Sequence, residues 1–158
     1  MQIEIERKFL VQPRLWKPTI PGMQYIQGYV AITPKFVVRA RIKGDQACLT
    51  LKAAKAGLKR KEYEYPIPVS DAEELLTDIT PPEPIRKIRY RIPFKDHLWE
   101  VDEFQGANRG LLLAEIELKA EDESFEIPPW IGKEVTGDKR FYNAYLYHHP
   151  FNSDWLES

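Results

Sequence analysis

The chain has 158 residues, enough for one domain with a sizeable core and too few for two. Its 23 basic and 24 acidic residues leave a formal net charge of −1, which excludes the simple basic coat of a nucleic-acid binder, and 43% hydrophobic with 30% charged residues describes a folded, soluble chain. The single cysteine, Cys48, excludes an intrachain disulfide and a thiolate metal cluster, and with no His near it in sequence it reads as a small strand filler.

Short segments rich in β-branched and aromatic residues follow one another, separated by Pro or Gly. The predicted strands are 2–11, 24–33, 36–43, 46–52, 60–69, 85–93, 97–104 and 111–119. Gly44-Asp45 and Lys95-Asp96 read as tight hairpin turns, and connections this short cannot cross over, so the sheet is expected to be antiparallel. Ser70-Asp71-Ala72-Glu73 has the form of a capping box, with Ser70 as N-cap of a short helix to about Asp78, ended by Pro81, Pro82 and Pro84. A second helix is expected from Thr136 or Asp138, carrying Phe141, Ala144, Tyr145 and His148 along one stripe, before a tail over 150–158. No apolar run approaches the roughly 20 residues of a bilayer span. The start, Met1-Gln2-Ile3-Glu4, lacks the basic and apolar regions of a signal peptide, so the cytoplasm is the expected compartment.

The strands share an unusual pattern. Alternate side chains of a strand lie on one face. On that rule Glu4, Glu6 and Lys8 oppose Ile3, Ile5 and Phe9, and Arg39 and Arg41 oppose Val38, Ala40 and Ile42. Lys52 lies with Thr50, Glu62 and Glu64 oppose Tyr63 and Tyr65, and Lys87 and Arg89 oppose Ile88 and Tyr90. Glu100 and Asp102 oppose Trp99 and Val101, while Glu115 and Glu117 oppose Ala114, Ile116 and Leu118. One reading is an ordinary sheet with a solvated face. Against it, each strand carries charges of mostly one sign, and like charges two residues apart sit ~7 Å from each other, which gains little on an open surface. The other reading encloses the charges. Carboxylates hold hard divalent cations, and Arg forks match phosphate oxygens, so the ligand that unites both is a polyphosphate with Mg²⁺ or Mn²⁺. An eight-stranded antiparallel barrel has an interior of the right size, ionic inside, with apolar faces outward under the helices and the Trp-, Tyr- and Phe-rich segments.

These residues resemble the CYTH domains, or triphosphate tunnel metalloenzymes. The resemblance begins with Glu4-Ile5-Glu6-Arg7-Lys8. It continues through Gln27-Gly28-Tyr29, Arg39-Ala40-Arg41, Leu49-Thr50-Leu51-Lys52 and Arg60-Lys61-Glu62-Tyr63-Glu64. Lys87-Ile88-Arg89-Tyr90, Glu100-Val101-Asp102-Glu103-Phe104, Glu115-Ile116-Glu117 and the segment 134–143 complete it over nearly the whole chain, 1–158, as one such domain. It implies an α+β fold, mainly antiparallel β: a closed eight-stranded β-barrel, or tunnel, with a charged interior and a few flanking helices. The closest likeness is to the short bacterial members that hydrolyse inorganic triphosphate to pyrophosphate and phosphate. Class IV adenylate cyclase, thiamine or nucleoside triphosphatase, and a polyphosphate-binding module without catalysis are the alternatives.

By the same resemblance, Glu4, Glu6, Glu115 and Glu117 hold metal, Mg²⁺ or Mn²⁺. Lys8, Arg39, Arg41, Lys52, Lys87, Arg89 and Lys139 grip phosphate, and Glu62, Glu64, Glu100 and Asp102 complete a second metal site or orient water. Lys8 and Tyr29 match the family's Lys–Tyr pair. Lys8 acts as a general base if its neighbours lower its pKa, and Tyr29 is either a core tyrosine or part of the site. His97, His148 and His149 fit no metal spacing and are expected at the surface, and Trp16, Trp99, Trp130 and Trp155 in outer packing. The expected partner is a small polyphosphate, with no nucleic acid and no membrane; the sequence is neutral on oligomeric state.

Overall fold

Strands with one apolar and one ionic face satisfy both by curling until one face is inside and the other lies under a covering layer. The structure, a computed structural model, describes residues 1–79 and 83–157. Among them are nine strands: β1 (Gln2–Val11), β2 (Met23–Ile32), β3 (Phe36–Lys43), β4 (Gln46–Ala53), β5 (Lys59–Ile67), β6 (Ile85–Phe94), β7 (His97–Phe104), β8 (Leu112–Glu117) and β9 (Ile131–Glu134). The hydrogen-bonded order is β5-β4-β3-β2-β6-β7-β8-β1, and β1 pairs back onto β5, which closes an antiparallel barrel of eight strands. The ninth strand, β9, extends the ladder from the far half of β1, with Val11 opposite Ile131. The helices are α1 (Val69–Glu74), continued by a π-helical turn at Leu75–Ile79, and α2 (Asn143–His148). No helix among the described residues is long and apolar enough to cross a membrane.

The eight expected strands all form, with ends displaced by no more than two residues. Both turns follow their sequences. Gly44 (φ 61°) stands first in a turn with the pattern of type II′, and Lys95 and Asp96 (φ 46° and 66°) both take the left-handed conformation of type I′. The short β9 has too few residues to show a period, and its place is fixed from outside. Arg7, on the outer face of β1, donates two hydrogen bonds to the Glu134 carboxylate at 2.8 and 2.6 Å.

The capping box does not form. Pro68 is the N-cap, and its carbonyl accepts from Asp71 and Ala72, so Ser70 already lies inside the first turn and caps nothing. Pro81 and Pro82 lie outside the described residues. The second helix also starts later than expected. The Asp138 side chain caps a 3₁₀ turn at Lys139–Phe141, the chain straightens at Tyr142 (ψ 134°), and α2 begins at Asn143. Phe141 is buried as expected, but the break resets the helical phase, so Leu146 and Tyr147 are buried in place of Ala144, Tyr145 and His148.

The largest apolar cluster lies outside the barrel wall. Ile5 and Phe9 of β1, Ile92 of β6, Trp99 and Val101 of β7, and Ala114 and Ile116 of β8 form it under Trp16, Phe125, Trp130 and Ile131. Trp99 is at its centre, fully buried, 5.5 Å from the Phe9 ring and 5.7 Å from that of Phe125. His97 is half-buried here, not a free surface residue, and bonds Glu123 at 2.6 Å, which ties the covering loop to β7.

Truncating Trp99 to alanine leaves a cavity in this layer, and the expected loss is about 3–5 kcal/mol by denaturant titration. Trp99→Phe keeps most of the packing and removes a buried Nε1–H that has no partner among the described residues, so its cost is well below that of alanine. Equal losses for both variants would place the stability of this layer elsewhere.

Candidate active site

The inward faces of the strands enclose a cavity of about 610 Å³. It is lined by Glu4, Glu6 and Lys8 of β1, Arg39 and Arg41 of β3, Lys52 of β4, Glu62 and Glu64 of β5, Lys87 and Arg89 of β6, Glu100 of β7, and Glu115 and Glu117 of β8. Ile5, Val38, Leu51 and Tyr63 do not line it, as the two-residue period requires. The open mouth carries Met23, Lys43, Arg91 and Leu98, all exposed. Two expected site residues fall outside. Lys139 is exposed on its 3₁₀ turn and does not reach the cavity. Asp102 is buried behind the wall, engaged by Lys87 at 2.7 Å and by two bonds from Arg89 at 2.7 and 2.9 Å.

The interior is not ionic throughout. One step beyond the last charge on five of the strands the inward residue is apolar: Leu10 after Lys8, Val37 before Arg39, Ile85 before Lys87, Phe104 after Asp102 and Leu113 before Glu115. These residues and Tyr29 pack against Phe141, Leu146 and Tyr147, so α2 stoppers that end of the barrel. Tyr29 is thus both readings at once, a wall of the cavity and a member of the plug, with its ring 5.6 Å from Tyr147.

The charges inside divide into two groups. On the cationic side, Arg39 is buried, its Nε has no partner among the described residues, and its one contact is Thr50 at 3.5 Å. Arg41 donates to Gln27 at 2.8 Å and has no carboxylate partner; burial, with Arg39 and Arg89 close by, pushes it down to about 10. The Tyr25 ring separates these cations, 4.9 Å from each of the Arg41 and Arg89 guanidinium carbons. Burial pushes Lys87 down against the pull of Asp102. Burial opposes the charge of Lys8 as well, but Glu115 and Glu6 outweigh it and hold the ammonium above the ordinary lysine range. The lowered value that a general base requires is therefore absent, because the pull of Glu115, 3.5 Å away, and of Glu6 exceeds the effect of burial.

On the acidic side, register sets Glu6 directly opposite Glu117 across β1 and β8. Burial, then Glu115 and Glu4, push Glu6 up to about 8; burial, then a hydrogen bond with Glu4, push Glu62 up to about 7; burial and Glu4 raise Glu117. Two other carboxylates are already occupied. Glu4 receives Lys52 at 3.0 Å, and Glu115 lies 3.5 Å from Lys8 and 3.7 Å from Arg89. Among the described residues no three acidic or imidazole side chains form a ready cage for a metal ion. The donors nevertheless fit Mg²⁺ or Mn²⁺, since all are carboxylates and Mg²⁺ is usually held by one or two of these together with substrate phosphates and water.

Residues outside the charged pattern also reach the site: Tyr25 and Gln27 of β2, Arg60 of β5, Lys55 in the β4–β5 loop, and Tyr142 and Asn143 before and at the start of α2. Counting back by two from Tyr29 finds Tyr25 and Gln27, and from Glu62 it finds Arg60. Lys55, Tyr142 and Asn143 sit on loops and turns, where the period gives no signal.

The sign of the Glu6 shift gives a stability test. Its carboxyl titrates near 8 folded and near 4.5 unfolded, so the folded state holds an extra proton between those values and stability falls as pH rises through them. Glu6→Gln has no such loss. In EDTA its Tm advantage over the wild type is expected to grow from about pH 5 to about pH 8 and then level off, whereas a pH-independent difference would contradict a buried, uncompensated carboxyl.

Comparison with known proteins agrees with this architecture. The CYTH domain family matches residues 2–142. An inorganic triphosphatase of Acetivibrio thermocellus is 44% identical over 150 residues, covering 95% of this chain and 96% of that protein. One of Nitrosomonas europaea is 39% identical over 152 residues, covering 90% and 95%. The crystal structure of an inorganic triphosphatase superposes with a TM-score of 0.68 at 36% identity, covering 93% of this chain and 95% of that one. A closed barrel with its charges inside, together with a match over most of its length, makes this chain a member of the CYTH family.

Proposed function

We propose that the protein is a metal-dependent triphosphatase that cleaves inorganic triphosphate to pyrophosphate and phosphate inside the barrel. The observation that carries this is the pair of uncompensated charge groups in one cavity. Arg39 and Arg41 make no salt bridge among the described residues, and burial with neighbouring carboxylates holds Glu6, Glu62 and Glu117 above the usual carboxylate range. A triphosphate with a divalent cation satisfies both at once. The names of the relatives at 44% and 39% identity support the same reading.

Arg39, Arg41, Lys87 and Arg89 grip the phosphate chain, and Lys8 and Lys52 complete the cationic lining. Glu6 and Glu117, neither of them in a salt bridge among the described residues, would hold Mg²⁺ or Mn²⁺, with Glu4, Glu115 and Glu62 beside them. Bound there, the cation neutralises phosphate oxygens and polarises the bond to be broken. Water attacks the terminal phosphorus in line, and pyrophosphate leaves. The loose transition state of such transfers asks little of a general base, so positioning and charge carry the rate. Lys8, held charged by Glu115 and Glu6, serves as a cation facing the equatorial oxygens, and a carboxylate of the acidic wall takes the proton of the water. Tyr29 closes the floor of this space. The reading carries with it a small polyphosphate as partner in place of nucleic acid or membrane, and a cytoplasmic setting.

The interior also argues for inorganic triphosphate over ATP. A triphosphate needs cations along its length and no apolar pocket, and the apolar end of the barrel is already filled by Phe141, Leu146 and Tyr147. Phosphate release from tripolyphosphate is expected with Mg²⁺ or Mn²⁺ and not in EDTA, with kcat/KM at least ~100-fold above that for ATP, or ~2.7 kcal/mol in transition-state binding. Lys87→Ala should erode that preference. Cyclic AMP among the products, or ATP as the better substrate, would replace this reading by a cyclase or nucleotide hydrolase; binding without release would leave a polyphosphate-binding module.

A further inference from the structure

The segment that stoppers the barrel does more than fill space. Before and at the start of α2, three consecutive residues reach the cations of two strands directly and of a third through one relay. The Phe141 carbonyl accepts from Lys8 Nζ at 3.0 Å, and the Tyr142 ring lies 5.7 Å from the same nitrogen. Asn143 Oδ1 accepts two hydrogen bonds, from Lys87 Nζ at 3.0 Å and from Gln27 Nε2 at 3.1 Å. Gln27 is fully buried, and its own Oε1 accepts from Arg41 Nε at 2.8 Å. One side-chain amide of the plug therefore fixes Lys87 directly and Arg41 through a single relay.

The chemistry of an amide suits that place. An ammonium has three hydrogens to donate. On Lys87 one goes to Asp102 at 2.7 Å and one to Asn143, and among the described residues the third is left for a ligand oxygen. A second carboxylate in place of Asn143 would repel the incoming phosphate, and an apolar side chain would leave Lys87 free to turn about its bond to Asp102. The amide oxygen holds direction without cancelling charge. Gln27 does the same for Arg41: its acceptor takes the guanidinium Nε and leaves the terminal nitrogens without a carboxylate.

We propose that Asn143 is a positioning residue for the phosphate-binding cations, aiming Lys87 directly and Arg41 through Gln27, so that the seating of α2 and the grip on the substrate are one structural event. This rests on the triphosphatase reading of the same cavity, and the test separates the two.

Tripolyphosphate affinity is measured by calorimetry in EDTA, where no turnover occurs, for the wild type, Asn143→Ala, Lys87→Ala and the double variant, with thermal unfolding of each. Asn143→Ala is expected to weaken binding about tenfold in the wild-type background and only about threefold when Lys87 is already alanine, where the Arg41 branch alone is left to lose, with Tm changed by only a few degrees. Gln27→Met, which breaks the Arg41 branch and leaves the Lys87–Asn143 bond in place, is expected to weaken binding about threefold, and it decides the matter if Asn143→Ala fails to fold. With Mg²⁺ the loss should appear mainly in KM, since the cations already hold the ground state. Equal losses in both Lys87 backgrounds, or unchanged affinity in Asn143→Ala and Gln27→Met, would overturn the positioning role. A wild type that binds tripolyphosphate in EDTA but releases no phosphate with Mg²⁺ would overturn the enzymatic reading alone, and the binding cycle would still decide the role of Asn143.

Discussion

Two groups of like charge are confined in one buried volume, and the rest of the molecule exists to keep them there. Glu6 faces Glu117 across adjacent strands, and Arg39 and Arg41 stand two residues apart, neither in a salt bridge among the described residues. Like charges directly opposite in a sheet destabilise it, and burial adds the cost of lost solvation. That cost must be met outside the barrel. The aromatic layer around Trp99, and the apolar stopper around Phe141, are where this chain gains its stability. The usual arrangement of a β-barrel is thereby inverted: packing on the outer wall supports a hollow, charged centre.

Partial pairing inside the cavity has its own logic. Where Asp102 engages Lys87 and Arg89, those side chains are held in fixed directions on the cavity lining. Where no salt bridge forms among the described residues, as at Arg39 and Glu6, a strong binding group is left for a ligand. A ligand that supplies the missing charges relieves a penalty already present in the empty protein, which is how a preorganised site converts folding energy into affinity. The Lys8 ammonium shows why neighbours have to be weighed by distance: the cations around it are many, but Glu115 at 3.5 Å decides its state.

Most of the barrel was legible in the sequence, because a period of two carries both the strand and its inside face. The charged positions from Glu4 to Glu117 fall on the cavity wall with few exceptions. Asp102 has the right parity but sits one layer back, since Lys87 and Arg89 reach it first. The helical ends were less legible. Ser70 loses its capping role to a proline that already fixes the turn, and a break at Tyr142 shifts the buried stripe of α2 from Tyr145 to Leu146 and Tyr147. Lys139 belongs to the same irregular segment, and a motif alone did not say which way it points. The apolar stopper was present in the sequence, one step beyond five of the charged runs, but became readable only with the register that aligns Leu10 with Leu113 and Lys87 with Phe104.

The first strand has a further consequence, for the order in which the chain is assembled. β1 is made first during synthesis, yet its partners are β5, β8 and β9, with Leu10 waiting for Leu113 and Val11 for Ile131. The hairpins from β2 to β5 and from β6 to β7 can form locally as they emerge, whereas β1 joins β5 across more than fifty positions and β8 and β9 across more than a hundred. Such long loops make closure slow relative to the hairpins, so the last act of folding is the insertion of the N-terminal strand. Glu4, Glu6 and Lys8 remain in water until that moment, and the nascent chain buries its most costly charges only when the rest of the cylinder is ready to receive them.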